Sequence, residues 1–380
     1  MTSSWNRRKR GVVFLFLIHG LTEATWVSRI PQIQEYLKVE TGLFGLALLG
    51  SAVGAMISMP FTGWLLARSE GQRLLIVSSM LFSAALPLMG LAASIPELAA
   101  ALVLYGMAGG AMDIAMNAFG SVVDSESPRP VMSFFHGMFS AGGMAGAAVG
   151  VLVVRSGIGV LQHFIAAALL LIVAVLCTAP LFPETPPEPR RASESGFRLP
   201  PRSLLALGVL AFCILFGERA MADWTGIYLV QRGSTASYAA AGYAAFSAAM
   251  TAGRFTGDWL IGRFGPAPVL RFGSGAATLG LAVALAIGTP WSGLLGFAAV
   301  GAGFSVVVPI LYRAAGTVPG MGPGAAIAIV STMGYLGFFI GPPLVGFAAQ
   351  AFTLRWALLI VAALSGAVVL FAQKALQPQP

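Results

Sequence analysis

Long apolar stretches recur along nearly the whole 380-residue chain, separated by short polar segments. Most are about 20 residues long, which is the length an α-helix needs to cross the hydrocarbon core of a bilayer. Only 9% of the residues are charged, against about 25% in an ordinary soluble domain. A soluble fold of this chain would have too few charged side chains to cover its surface. Runs of this length also argue against a membrane barrel, whose strands alternate apolar and polar residues. The sequence therefore predicts an all-α integral membrane protein.

We place twelve membrane spans in two sets of six. The first set covers 11–33, 42–67, 72–93, 97–122, 131–154 and 159–181, and the second covers 204–230, 237–262, 267–288, 291–314, 323–349 and 354–374. Between the sets lies the only long polar stretch after the N-terminus, and it is rich in proline and charge. The expected organisation is an N-terminal six-helix half at 1–182, a cytoplasmic linker at 183–203 and a C-terminal six-helix half at 204–380.

The distribution of basic residues predicts the orientation. With the N-terminus inside and twelve spans, fifteen of the 22 Lys and Arg residues fall on the cytoplasmic side and five on the outside. Such an excess of basic residues in cytoplasmic loops is the positive-inside rule. The net charge of +8 then reflects membrane topology, and we expect no nucleic-acid partner. The basic start resembles a signal peptide, but the many spans that follow favour a first membrane helix. Both termini are expected in the cytoplasm.

An internal repeat at an offset of 195 residues pairs Glu23 with Glu218 and Arg68 with Arg263. Three glycine pairs follow the same offset: Gly106 with Gly301, Gly142 with Gly337, and Gly146 with Gly341. Two parallel repeats in a membrane transporter are related by an axis along the membrane normal, and the site lies near the midplane between them. The repeat therefore predicts two pseudo-symmetric bundles with a site at their interface.

The loop after the second span and its copy in the second half resemble the short cytoplasmic motif of the major facilitator superfamily, a glycine followed by a basic cluster and a second glycine. The residues that carry it are Gly63, Arg68, Gly71 and Arg73, and in the copy Gly257, Asp258 and Arg263. The stretches 26–31, 112–117, 135–137 and 221–224 are similar to a bacterial branch that resembles fucose permeases. Two positions depart from the family pattern: Ala67 stands where an acid is usual, and Arg219 where a small residue is expected.

This resemblance implies a fold of twelve helices in two bundles, a cavity lined by spans one, four, seven and ten, and a place in the bacterial inner membrane. It also implies transport by alternating access and acids on spans one and four in proton coupling. The motif residues would act at a cytoplasmic gate, where we expect an ion pair between Arg254 and Asp258. A plain intrahelical pair is the alternative.

Ionisable side chains within spans are the candidates for function, because a charge inside the bilayer is costly and is rarely retained unless it has a function. Glu23 and His19 are one turn apart on the first span and share a face, so the pair could take up and release a proton. Asp113 and Asn117 have the same spacing on the fourth span and could bind a proton and a polar solute. The alternatives are a solvated Glu23, a His19 bonded to a backbone carbonyl, and a hydrogen bond between Asp113 and His136.

The seventh span carries Glu218, Arg219, Asp223 and Trp224. Glu218 and Arg219 are successive, so their side chains point about 100° apart. Asp223 is expected near the outer end of the span and hydrated. Trp224 and Tyr228 could form an aromatic wall for a solute ring or belong to an interfacial belt.

The sequence as a whole predicts a proton-coupled secondary active transporter of a small solute. There is no G-x-x-x-x-G-K-[ST] loop for a nucleotide, and the three histidines form no metal-binding group, so we expect neither an enzyme nor a cofactor. A drug or metabolite exporter is the alternative, because Asn117 is nearly the only amide inside the spans. A passive channel or a sensor is a remote alternative. The expected partners are a small-molecule solute, protons and the lipid bilayer, with the protein as a monomer and Arg29 as an interface anchor.

Overall fold

The computed structural model describes residues 3–66, 71–127, 131–182, 201–319 and 323–376. Within these ranges the chain is helical and contains no strand. The helices are α1 (Ser3–Val27), α2 (Ile30–Leu37), α3 (Thr41–Leu66), α4 (Gly71–Ala84), α5 (Leu86–Leu91), α6 (Ile95–Ser125), α7 (Met132–Arg155), α8 (Val160–Thr178), a 3-10 helix (Ala179–Leu181), α9 (Arg202–Gln231), α10 (Ala236–Phe264), α11 (Pro266–Ile287), α12 (Pro290–Phe304), α13 (Val307–Ala315), α14 (Pro323–Ala351) and α15 (Leu354–Leu376).

In the described ranges these helices make twelve long passes, which match the twelve predicted spans. Four passes combine two elements: α1 with α2, α4 with α5, α8 with the 3-10 helix, and α12 with α13. Eleven passes are long and apolar enough to cross a membrane by length and composition alone. The twelfth, α10, has 29 residues, but its Gly, Ser, Thr and Tyr residues and its three charged residues lower its hydropathy. The predicted all-α membrane fold is confirmed.

Helix packing follows the sequence repeat. In the first half α1 packs on α7 and α3 on α6, and in the second half α9 packs on α14 and α10 on α12. A methyl group added at Gly106 would overlap the carbonyl oxygen of Ser51, and one at Gly301 would overlap that of Phe246. Ser51 and Phe246 are themselves 195 positions apart. Within each set, two helices therefore approach closely at equivalent places, where only glycine lets the backbones meet.

Contacts between the two sets run mainly through α7 with α10 and through α3 with α14. At the end of the bundle where α2 lies, Pro31 packs on Gly226 and Gln350 donates a hydrogen bond to Glu40. The division at 1–182, 183–203 and 204–380 stays a prediction, because 183–200 lies outside the described residues. α9 begins at Arg202, inside the predicted linker.

The interruption between α1 and α2 is held by Arg29, which is fully buried. Its Nε donates to His163 Nδ1 at 3.0 Å, Nη1 to Gln32 Oε1 at 2.7 Å and Nη2 to the carbonyl of Ile158 at 2.9 Å. The expectation of an interface anchor was wrong, because three acceptors enclose the guanidinium and join the first pass to the sixth.

We predict that Gly106→Ala and Gly301→Ala both destabilise the protein, because the new methyl group must push a backbone carbonyl aside. Overpacking of this kind typically costs about 1–3 kcal/mol. Thermal unfolding of the purified protein in detergent measures the change. Gly262→Ala is the matched control, since nothing lies within 4 Å of its added methyl group. Equal melting temperatures for all three variants would show that the close approaches do not limit packing.

Candidate functional site

Arg219 joins the two sets of helices. Its Nη1 donates to Glu23 Oε1 on α1 at 3.1 Å, and its Nη2 to Ser51 Oγ on α3 at 3.3 Å. Its Nε donates to Asp223 Oδ2 on its own helix at 2.8 Å. Tyr105 on α6 donates to the second oxygen of Glu23 at 2.8 Å. We call these five residues the Arg219 cluster, and it links α9 to three helices of the first set.

The Arg219 cluster is largely withdrawn from solvent. The side chains of Arg219 and Glu23 are 14% and 16% exposed, and that of Asp223 is fully enclosed. One guanidinium therefore serves two carboxylates in a region of low dielectric constant, where an unpaired charge is strongly unfavourable. The expectation of a hydrated Asp223 was wrong, because Arg219 lies one turn earlier on the same helix and binds it. The departure from the family pattern at Arg219 is thus matched by two acids.

Asp113 makes a second link between the sets. Asn117 Nδ2 donates to Asp113 Oδ1 at 2.9 Å, as their spacing on α6 allows. The hydroxyl of Tyr335 on α14 donates to Asp113 Oδ2 at 3.2 Å. We call these three residues the Asp113 cluster. The alternative of a hydrogen bond from Asp113 to His136 is not realised.

His19 lies between the two clusters. It is close enough to Asp113 and to Glu23 for their charges to interact. Its ring meets the edges of Phe82 and Phe139 at centroid distances of 4.9 and 5.5 Å. Its Nδ1 has no hydrogen-bond partner, so this atom makes no bond to a backbone carbonyl. A basic nitrogen without a partner beside two acids is suited to carry or relay a proton.

Arg254 turns to the first set of helices. Its Nη1 donates to the backbone carbonyl of His136 at 3.0 Å and to the hydroxyl of Ser140, both on α7. Asp258 is exposed and takes no part, so the expected ion pair with Arg254 is not formed. Arg254 bonds to α7 instead, through its Nη1 alone. The His136 ring packs edge-on against Phe16, with centroids 5.2 Å apart.

Glu218 faces away from its neighbour Arg219, as their succession on a helix requires. It is half-buried, and its Oε1 is enclosed without a hydrogen-bond partner. Its charge interacts with Arg254 and with the tyrosines of α10, α13 and α14, namely Tyr243, Tyr312 and Tyr335. Glu218 therefore stands at the centre of the polar surface that the second set of helices presents.

Trp224 and Tyr228 are fully buried and do not form an aromatic wall. Tyr228 packs edge-on against Phe297 at 5.9 Å, and Trp224 lies against Gly346. Tyr228 thus faces a helix of the second set, while the ring of Trp224 lies at the point where α14 meets α3 of the first set.

The described residues of the expected gate lie at the end of the bundle opposite α2. Gly71 packs on the Phe119 ring and Gly257 on Val306, while Gly63 has open space beside it. Arg73 is exposed, and Arg263 lies over the rings of Trp259 and Phe264 at 6.0 and 5.6 Å. Arg68 falls outside the described residues. The role of these residues as a gate stays a prediction.

Sequence reasoning missed the neutral members of the site. Tyr105, Tyr335 and Ser51 carry no charge, so their presence in a span gives no warning of function. The chain has only seven tyrosines, and four of them lie at or beside the charged groups: Tyr105, Tyr243, Tyr312 and Tyr335. A tyrosine within a span was the available signal for a polar site, since a buried phenol usually needs a hydrogen-bond partner.

The comparisons with known proteins agree with this architecture. The family model for the Major Facilitator Superfamily matches residues 12–322. An uncharacterized MFS-type transporter of Yersinia pestis is 34% identical over 350 residues, which cover 92% of this chain and 91% of that protein. The solved structure of the nucleoside transporter NupG has a TM-score of 0.77 at 14% identity, covering 98% of this chain and 100% of that one. FucP, an MFS transporter in the outward conformation, has a TM-score of 0.69 at 20% identity, covering 98% and 99%. At these identities the two structures show similarity of fold alone.

We predict that Arg219→Gln lowers stability strongly, because it leaves Glu23 and Asp223 buried without a cation. Removing one partner of a buried ion pair costs about 3–5 kcal/mol. Thermal unfolding in detergent measures the effect, with the exposed Arg263→Gln as control. The double variant Glu23→Gln with Arg219→Gln should recover part of the loss. An Arg219→Gln protein as stable as the wild type would contradict the role given to this cluster.

Proposed function

Because this chain belongs to the Major Facilitator Superfamily, a family of transporters and not of enzymes, we propose that it couples the movement of a small polar solute to protons by alternating access. In this proposal the protein lies in the bacterial inner membrane with both termini in the cytoplasm. FucP, which shares the fold, is a fucose:proton symporter. The proposal for this chain rests on its own residues.

The observation that carries the proposal is that its buried acids bind across the interface between the two sets of helices. Glu23 is held by Arg219 from the opposite set, and Asp113 by Tyr335 from the opposite set. Alternating access moves the two sets relative to each other around a central site. Such a movement breaks these bonds, so the state of each carboxylate is tied to the conformation.

Proton coupling follows from the charge balance. When the sets separate and Glu23 loses Arg219, a bare carboxylate in the membrane interior is unfavourable unless it binds a proton. When the sets close again, the guanidinium displaces that proton. His19 lies between Glu23 and Asp113, where it can pass protons between the two acids. Each cycle thereby takes up and releases protons at different conformations.

A polar solute is favoured by the side chains that face the space between the sets. Asp113, Asn117, Glu218, Arg254 and Tyr335 are all half-buried, and they come from both sets of helices. An exporter of greasy compounds would present mainly apolar side chains there. The polar groups supply donors and acceptors that replace the water of a hydrophilic solute.

We predict that Asp113→Asn and Glu23→Gln abolish accumulation driven by a pH gradient while leaving solute binding largely intact. The solute is first found by a thermal-shift screen against metabolites, since a ligand of the folded state raises its stability. Accumulation is then measured in proteoliposomes with and without an imposed gradient. Glu35→Gln, an exposed acid on α2, is the matched control. Solute accumulation that is still driven by the pH gradient in both variants would contradict this coupling scheme.

A further inference from the structure

Glu218 on α9 and Arg254 on α10 have opposite charges that interact but do not touch. Their charges lie within range of each other. In the described part of the chain, however, no nitrogen of Arg254 comes within 4.0 Å of a Glu218 oxygen, the limit for an ion pair. Two opposite charges in a region of low dielectric constant ordinarily close such a gap, because their attraction strengthens as they approach. Something holds these two apart.

The first set of helices holds Arg254 away from Glu218. Its Nη1 is bonded to the carbonyl of His136 and the hydroxyl of Ser140 on α7. Its Nη2 and Nε make no hydrogen bond to any described residue, and neither atom is enclosed. Both are therefore accessible to a bound group. The guanidinium presents two free donors in the fork geometry that matches a carboxylate.

Glu218 lacks a hydrogen-bond donor among the described residues, whereas Arg254 lacks acceptors for Nη2 and Nε. Its Oε1 is enclosed and accepts no hydrogen bond, although a buried carboxylate oxygen without a donor is strongly unfavourable. Tyr312 and Tyr335 lie close enough for their hydroxyls to interact with its charge, but neither donates to it. The gap therefore has an acceptor without a donor on one side and donors without an acceptor on the other.

We propose that this gap is the solute site and that the solute is a small zwitterion, with an ammonium group bound by Glu218 and a carboxylate bound by Nη2 and Nε of Arg254. This inference rests on the proposed function, since it takes the space between the sets as the solute's. A simple cation would leave Arg254 unpaired and a simple anion would leave Glu218 unpaired. A molecule with both charges satisfies both groups, so the site selects against either half alone.

The site also links solute binding to the interface. Arg254 belongs to the second set and is anchored on the first, while Tyr335 belongs to the second set and is bonded to Asp113 of the first. A zwitterion bound between Glu218 and Arg254 lies beside both links. Its binding therefore biases the relative position of the two sets, as a transported solute must.

Equilibrium binding to the purified protein at constant pH tests the proposal. The probes are the standard α-amino acids and the series from glycine to 6-aminohexanoate, each compared with the amine and the carboxylic acid of the same chain length. At least one zwitterion should bind more than about tenfold tighter than either single-charge analogue, a difference of about 1.4 kcal/mol. Failure of every zwitterion to bind, or equal binding of an analogue, overturns the proposal.

Variants separate the two ends of the ligand. Glu218→Gln should weaken the zwitterion and the amine at least tenfold while leaving the carboxylic acid unchanged. Arg254→Gln should weaken the zwitterion and the carboxylic acid at least tenfold while leaving the amine unchanged. Because Arg254→Gln also removes contacts to α7, the folding of this variant is checked by thermal unfolding. If the Arg254→Gln protein does not fold, the isosteric Glu218→Gln variant alone tests the site. Unchanged zwitterion affinity in Glu218→Gln contradicts the site.

Failure of this zwitterion site can be distinguished from failure of proton coupling. Binding is measured without a gradient, so a zwitterion that binds but does not accumulate with protons would keep this site and remove the coupling. Proton-driven accumulation of a solute without both charges would keep the coupling and remove this site. Glu35→Gln and Arg155→Gln, which change exposed residues of the same types, are the matched controls and should bind the probes as the wild type does.

Discussion

The structure depends on one guanidinium shared between two carboxylates where water is nearly absent. Arg219 on α9 binds Asp223 on its own helix and Glu23 on α1. Because neither acid is well solvated, each needs this cation, and the cation needs both for its own hydrogen bonds. In this conformation the cluster therefore ties α9 to α1, beside the main contacts between the sets through α7 with α10 and α3 with α14. Tyr105 and Ser51 complete the cluster from α6 and α3.

Further polar bridges cross the same interface at other depths. From the α2 end to the opposite end, they pair Glu40 with Gln350, Glu23 with Arg219, Asp113 with Tyr335, and His136 with Arg254. A relative movement of the two sets cannot keep all of these bonds at once, because they lie at different distances from any hinge. Such an interface has alternative arrangements and does not deform continuously, which is the property that alternating access requires. The unjoined charges of Glu218 and Arg254 lie among these bridges and mark where a solute can take part.

Local patterns predicted the features that depend on one helix at a time. Hydropathy and length gave the spans, and the offset of 195 residues gave the equivalent glycine contacts at Gly106 and Gly301. The rarity of charge within spans singled out Glu23 and Asp113, both of which lie at the interface. The same reasoning failed for Arg29 and Asp223. Each was assigned to solvent or to the membrane surface from its position in a span, and each is enclosed by partners from elsewhere.

The sequence by itself determined that this is a membrane protein of twelve helical passes in two repeated sets, because the bilayer imposes a length and an apolar composition on every pass. Only the tertiary structure decided which charges meet. Spacing along a helix shows neighbours three or four residues apart, whereas Glu23 binds a residue 196 positions away and Asp113 one 222 positions away. Such pairs form because helix packing removes water from both partners, and no local pattern records that event.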